Sequence, residues 1–120
     1  MPEFRRVGVG LVGVGAMGRF HAENLALHIP RAKLVALADA FVEPAKKVAA
    51  SLYVDTVYSD FSGLIDDKRV EAVAIAVPPY LKKDMIVKAA RAGKHIFVEK
   101  PMTLSSKDAD EIIRETEAAG

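Results

Sequence analysis

The stretch Gly13-Val14-Gly15-Ala16-Met17-Gly18 lies between an apolar run at 7–12 and an amphipathic stretch. Asp39 comes 21 positions after Gly18, at the end of a second apolar run. Strand, glycine-rich turn, helix, strand and acid, in that order, describe a βαβ unit built to hold a dinucleotide. Gly13 permits the tight turn off the strand, Gly15 lets backbone approach a pyrophosphate, and Gly18 lets the helix pack closely on the sheet. The pyrophosphate would sit on free N–H groups at the positive end of that helix, along Val14, Gly15, Ala16 and Met17. The Asp39 carboxylate would accept hydrogen bonds from the adenosine ribose hydroxyls.

Gly8-Val9-Gly10-Leu11-Val12-Gly13 matches the same spacing. That register leaves only 1–7 for the preceding strand, a stretch holding Pro2, Glu3, Arg5 and Arg6. It also puts Gly15 and Gly18 in the first turns of the helix, each costing about 1 kcal/mol relative to alanine. The later register predicts a strand at 7–12 and a helix from about Ala16 to His28. Gly18, Ala22, Leu25 and Ile29 then share one helical face, small near the strand and larger further out.

With 120 residues, 51% of them hydrophobic, the chain has the length and apolar content of one packed domain. Seventeen Lys and Arg against 16 Asp and Glu leave a net charge of +1, with no basic cluster, which argues against nucleic acid or a membrane surface as partner. Zero cysteines exclude disulfides, thiolate catalysis and Cys-based zinc, and suit the cytoplasm. Arg5-Arg6 before an apolar run resembles a twin-arginine export signal, but five glycines between positions 8 and 18 break that run and no cleavage site follows. No apolar stretch approaches the roughly 20 residues of a membrane span.

Further along, apolar runs alternate with helical patterns, which predicts an α/β, doubly wound, mostly parallel sheet with helices on both faces. The second strand is expected at 33–38, apolar as burial on both faces requires. Pro44 suits the first turn of a helix running to about Leu52. Val57-Tyr58 reads as a short edge strand, and Asp60 as the cap of a brief helix to Ile65. A fourth strand is expected at 72–77, ending at Pro78-Pro79, and a helix at 82–92 with Met85, Ala89 and Ala92 on one face and Gly93 closing it. His95–Val98 reads as the fifth strand, and Ser105 or Ser106 starts a last helix through Ile112, Ile113 and Thr116. The carboxyl ends of strands one, two, four and five should share the edge where ligands bind in such sheets. That edge would carry Gly13 to Gly18, Asp39, Val77-Pro78-Pro79-Tyr80 and Glu99-Lys100-Pro101.

GVGAMGRFHAENL from Gly13, LVALAD ending at Asp39 and AGKHIFVEKP ending at Pro101 resemble the glucose–fructose oxidoreductase and inositol dehydrogenase family (Gfo/Idh/MocA). The resemblance covers essentially the whole chain. It implies that 1–120 is a Rossmann domain binding NAD(H) or NADP(H), and that Lys100 is the catalytic lysine, hydrogen-bonded to a substrate hydroxyl beside the nicotinamide. Oxidising a carbinol needs loss of the hydroxyl proton while hydride leaves for the cofactor. A lysine there could donate to the developing alkoxide or join a proton relay. Glu99 would be its orienter or a nicotinamide contact, and Val77, Pro78 and Pro79 would border the cofactor. A cis Lys100–Pro101 bond is also expected.

Two departures stand out. Where the family usually has Thr-Pro-Asn this chain has Val77-Pro78-Pro79, which leaves backbone and ring packing as the contacts of that loop. A histidine common three positions later is Lys82. The chain also stops where the family continues, so the sheet is expected truncated before the sixth strand, with β-edge exposed. A substrate domain with its aspartate and acid–base histidine, governing substrate and any homo-oligomer, would lie outside it.

His21 matches a frequent histidine of the family and suits a helix-face hydrogen bond. His28 suits the helix C-terminus. Three scattered histidines show no metal spacing, and Asp60, Asp66 and Asp67 read as caps and turn residues. The resulting expectation is the cofactor domain of an oxidoreductase acting on a sugar, polyol or related carbinol. Asp39 would favour NAD(H), because a carboxylate repels a 2′-phosphate, unless Arg19 or Lys46 approaches that phosphate. The alternatives are a non-catalytic NAD-binding module, a methyltransferase, which leaves Glu99-Lys100-Pro101 unexplained, or a family member using bound NAD for elimination or glycoside cleavage.

Overall fold

Val7–Val12 forms β1, the strand around which the molecule is arranged. The computed structural model describes residues 5–100, 102–103 and 105–120. Four further strands, β2 (Ala32–Ala38), β3 (Val57–Tyr58), β4 (Ala72–Ile75) and β5 (His95–Val98), complete a sheet in the order β3-β2-β1-β4-β5. Every ladder is parallel. The chain winds one way from β1 to β3 and the other way through β4 and β5, so the order reverses between β1 and β4. A crevice at that reversal, beyond the carboxyl ends of the strands, is where open α/β sheets bind ligands.

Helices cover both faces. Ala22 of α1 (Ala16–Glu23) and Ala45, Val48 and Ala49 of α2 (Val42–Ser51) pack with Val9, Leu11 and Leu34. On the other face Phe61 and Leu64 of α3 (Phe61–Asp66), Ile86 and Ala89 of α4 (Pro79–Arg91) and Ile112 of α5 (Ser106–Ala119) pack with Val12, Val35, Val73 and Ile75. Strand β2 alternates between these cores except at Val35-Ala36, which both face the second one. The reason is a bulge: Val9 pairs with Leu34 but Gly10 with Ala36.

The element boundaries follow local chemistry. Asp60 Oδ1 accepts from the Gly63 amide at 3.1 Å and Ser105 Oγ from the Asp108 amide at 3.1 Å, capping α3 and α5. Gly93, at φ +75°, follows α4 in the left-handed region. Three expectations are corrected. The helix expected to about His28 is α-helical only to Glu23; Asn24–His28 is a π-helical turn, with the Ile29 amide bonded to the Asn24 carbonyl at 3.0 Å. The wider turn breaks the 3.6-residue face, so Gly18 and Ala22 are buried while Ile29 is 44% exposed.

Second, β4 stops at Ile75 rather than Val77, and α4 begins at Pro79 rather than Lys82. Pro79 occupies the first helical position, where a missing N–H breaks no bond. Third, the buried face of α4 runs through Lys82, Ile86, Ala89 and Ala90 instead of ending on Ala92, which lies past the helix and is exposed. The expected Lys100–Pro101 isomer falls outside the described residues. Among the described residues, no helix is long and apolar enough to cross a membrane.

Candidate functional site

Gly13 leaves β1 at φ +93°, and a Cβ there would stand 2.3 Å from the Ala76 carbonyl oxygen. A Cβ on Gly18 would stand 1.8 Å from the carbonyl oxygen of Gly13. Both glycines are demanded by the chain's own packing: strand, turn and helix cannot approach this closely otherwise. Gly15 differs. It has ordinary extended backbone, and a Cβ built on it meets nothing within 4 Å. Its lack of a side chain therefore serves no neighbour in the protein and suits a group approaching the loop from outside. It precedes α1 as the N-cap without a side-chain cap, and the first turn carries no acid, so the amides there are open to an anion.

Asp39 stands just past β2, close to this loop. Its Oδ2 accepts from the Val14 amide at 2.7 Å and its Oδ1 from the Phe41 amide at 2.8 Å. The carboxylate thus straps the glycine turn to the β2–α2 connection. An ionised carboxylate has about four acceptor directions, so each oxygen keeps capacity for a ribose hydroxyl. Together Gly13, Val14, Gly15, Asp39, Val77 and Pro78 border a cleft of about 510 Å³ over the order reversal, with Phe41, Tyr80 and Leu81 on its apolar walls. Ala16 and Met17 are exposed in the first turn of α1, and Pro79 opens α4 beside this cleft. Phe41, strongly exposed on the cleft wall, was not anticipated; an aromatic two residues after the ribose acid was the available signal.

Glu99 and Lys100 follow β5 on the same edge. The Glu99 carboxylate bonds His21 Nε2, and since a carboxylate only accepts, that nitrogen carries the proton. His21 also packs edge-on against Phe97, ring centroids 5.6 Å apart. So Glu99 engages α1 with its side chain. Lys100 is exposed, two residues past the end of β5.

Lys82 is the residue that sequence reasoning misjudged. It is only 2% exposed, and its Nζ donates to the Glu99 carbonyl at 2.5 Å. A cation interrupting the apolar stripe Ile86-Ala89-Ala90 was the available signal. Arg19 lines a separate groove between α1 and α2 with Lys47, and Lys46 pairs with Glu43 at 3.7 Å; neither borders the Asp39 cleft. Among the described residues no three His, Asp or Glu side chains gather where they could hold a metal ion.

The chain matches, over residues 7–120, the model of an oxidoreductase family with an NAD-binding Rossmann fold. It is 41% identical over 114 residues to the NAD(+)-dependent scyllo-inositol 2-dehydrogenase of Bacillus subtilis, covering 92% of this chain and 33% of the relative. It is 33% identical over 114 residues to 2,7-anhydro-N-acetylneuraminate hydratase of Escherichia coli, covering 95% of this chain and 30% of the relative. Among solved structures it superposes on Lactobacillus casei scyllo-inositol dehydrogenase bound to NAD(H) and scyllo-inositol with a TM-score of 0.91, at 30% identity, covering 96% of this chain and 34% of that one. The chain thus spans about a third of the length of the relatives it matches. Open glycine turn, strapped acid, sheet order and these likenesses agree: the chain belongs to the Gfo/Idh/MocA oxidoreductase family and carries its NAD-binding Rossmann fold.

Proposed function

We propose that this chain is the cofactor half of an NAD-dependent dehydrogenase that oxidises a secondary hydroxyl of a cyclic polyol or sugar, with a further domain completing the substrate pocket. The observation that carries the reading is the Asp39 carboxylate bonded to Val14 beside the open side of Gly15. The amides of Gly15, Ala16 and Met17 would hold the pyrophosphate, the Val14 amide being taken by Asp39, and the remaining acceptor directions of Asp39 the ribose hydroxyls. Val77, Pro78 and Pro79 would border the cofactor by backbone and ring contact. When bound, the nicotinamide supplies a two-electron hydride acceptor. Lys100 would hold the substrate hydroxyl and pass its proton toward solvent or a neighbouring base. A cytoplasmic, homo-oligomeric enzyme acting on a small molecule, without nucleic acid or membrane, completes this reading, in keeping with the net charge of +1.

Asp39 makes NAD(H) the preferred form, since a 2′-phosphate would meet its negative charge at close range. Calorimetric titration tests this: saturable NADH binding, at least about tenfold tighter than NADPH and weakened about tenfold by Asp39→Ala, is expected from loss of charge-assisted hydrogen bonds. Absence of binding by the folded chain would refute the reading. A second reading, in which bound NAD oxidises a substrate transiently during elimination or hydration, is favoured by the likeness to a hydratase. Assay of the complete enzyme with polyols separates the two, because only a dehydrogenase accumulates NADH in proportion to product.

A further inference from the structure

We propose that Lys82 and His21 are positioning residues that grip Glu99 from opposite faces of the sheet and so fix where Lys100 stands beside the nicotinamide; the nicotinamide part rests on the cofactor-domain reading above. Lys82 is the one charged residue buried among the described residues. Burying an ammonium is costly unless it is hydrogen-bonded, and one bond this one makes is to the Glu99 carbonyl, at 2.5 Å. That carbonyl lies just past Val98, the last residue of β5 paired to β4, where the ladder supplies no further partner. Lys82 reaches it from α4 on one face, while His21 reaches the carboxylate of the same residue from α1 on the other.

The consequence for Lys100 follows from peptide geometry. The Glu99 carbonyl and the Cα of Lys100 belong to one rigid planar unit. Holding that oxygen leaves Lys100 few directions in which to leave the strand. A second hold on the Glu99 side chain removes rotation about its own backbone. Lys82 also stands one turn into the helix that opens at Pro79, so the cofactor-bordering loop and the Glu99–Lys100 tip share one rigid support.

Hydrogen exchange and ligand titration of the chain, with Lys82→Met, Lys82→Arg and His21→Ala, test the proposal. Lys82→Met should raise exchange across 98–100 about tenfold without changing β1, as expected for loss of a charge-assisted bond, and Lys82→Arg should restore protection. ADP-ribose, which lacks the nicotinamide, should bind Lys82→Met as it binds the wild type, while NADH loses about fivefold in affinity. Unchanged exchange, or equal loss of both ligands, overturns the positioning role. Wild-type protein that binds neither ligand overturns the nicotinamide part and the cofactor reading with it, and exchange alone then decides the grip. If Lys82→Met does not fold, His21→Ala must show the same exchange pattern, or the proposal falls.

Discussion

At the scale of single residues, the three glycines of the turn have different owners. Gly18 is needed by the protein: a Cβ there would lie 1.8 Å from a backbone oxygen, and backbone cannot yield cheaply. Gly18→Ala is expected to destabilise by about 3 kcal/mol, the upper range for forced overpacking. A Cβ on Gly15 meets no neighbour, and under the proposed function the open side serves the ligand, so Gly15→Ala should leave stability within about 0.5 kcal/mol, as at open surface positions, yet weaken NADH binding. Denaturant unfolding and NADH titration of both variants check this, and comparable destabilisation by the two would contradict it. The motif was legible in sequence because turn geometry demands glycine. The motif also assigned Gly13 and Gly18 to the chain and Gly15 to a ligand; which atoms a side chain would strike, those of Ala76 and Gly13, was not legible, since they meet only in space. The strap from Asp39 to Val14 was hidden for the same reason, its partners being 25 residues apart.

Elements show where local pattern is overridden. The π-helical turn at Asn24–His28 inserts extra backbone per turn and rotates Ile29 out of the core, something a count by 3.6 cannot foresee. A second element-level device ties β3 to the end of α3. Tyr58 Oη donates to Asp67 Oδ2 at 2.8 Å, and Arg69 donates to both oxygens of Asp67. These bonds, those from Arg69 first, hold the carboxyl of half-buried Asp67 far below the usual carboxylate range, while the Asp67 carboxylate pushes the Tyr58 phenol up. A depressed folded-state value means the unfolded chain takes up the proton first as pH falls. The contribution of Asp67 is therefore whole above about pH 4, the ordinary aspartate range, and declines progressively below it until the folded-state carboxyl itself protonates. Asp67→Asn should cost about 2 kcal/mol at pH 7 and less at pH 3. Denaturant unfolding at the two pH values checks this; a pH-independent loss would reject it.

For the whole molecule, cofactor binding and stability are one equilibrium. A ligand at 100 times its Kd adds about 2.7 kcal/mol to the folded state, which for a domain of this size raises Tm by about 10 °C. NADH is expected to give that shift in a thermal melt, and NADPH at equal concentration a clearly smaller one; equal shifts would show that Asp39 does not select. The fifth strand is an edge, and Phe97 on it is 55% exposed beside His21. Apolar runs alternating with helical patterns were enough to read the α/β class and the five strands, and the resemblance of the stretches from Gly13, to Asp39 and to Pro101 pointed to the family. Each of those rests on patterns a few residues long: alternation of buried strands and amphipathic helices, and glycine where φ or contact forbids a side chain. Tertiary structure alone decided that Lys82 is buried, that Glu99 turns to His21, and that Asp39 braces the turn it was expected only to neighbour. Those facts join residues 17 to 78 positions apart, and a pairing across such distances exists only once the sheet has brought the strand ends to one edge.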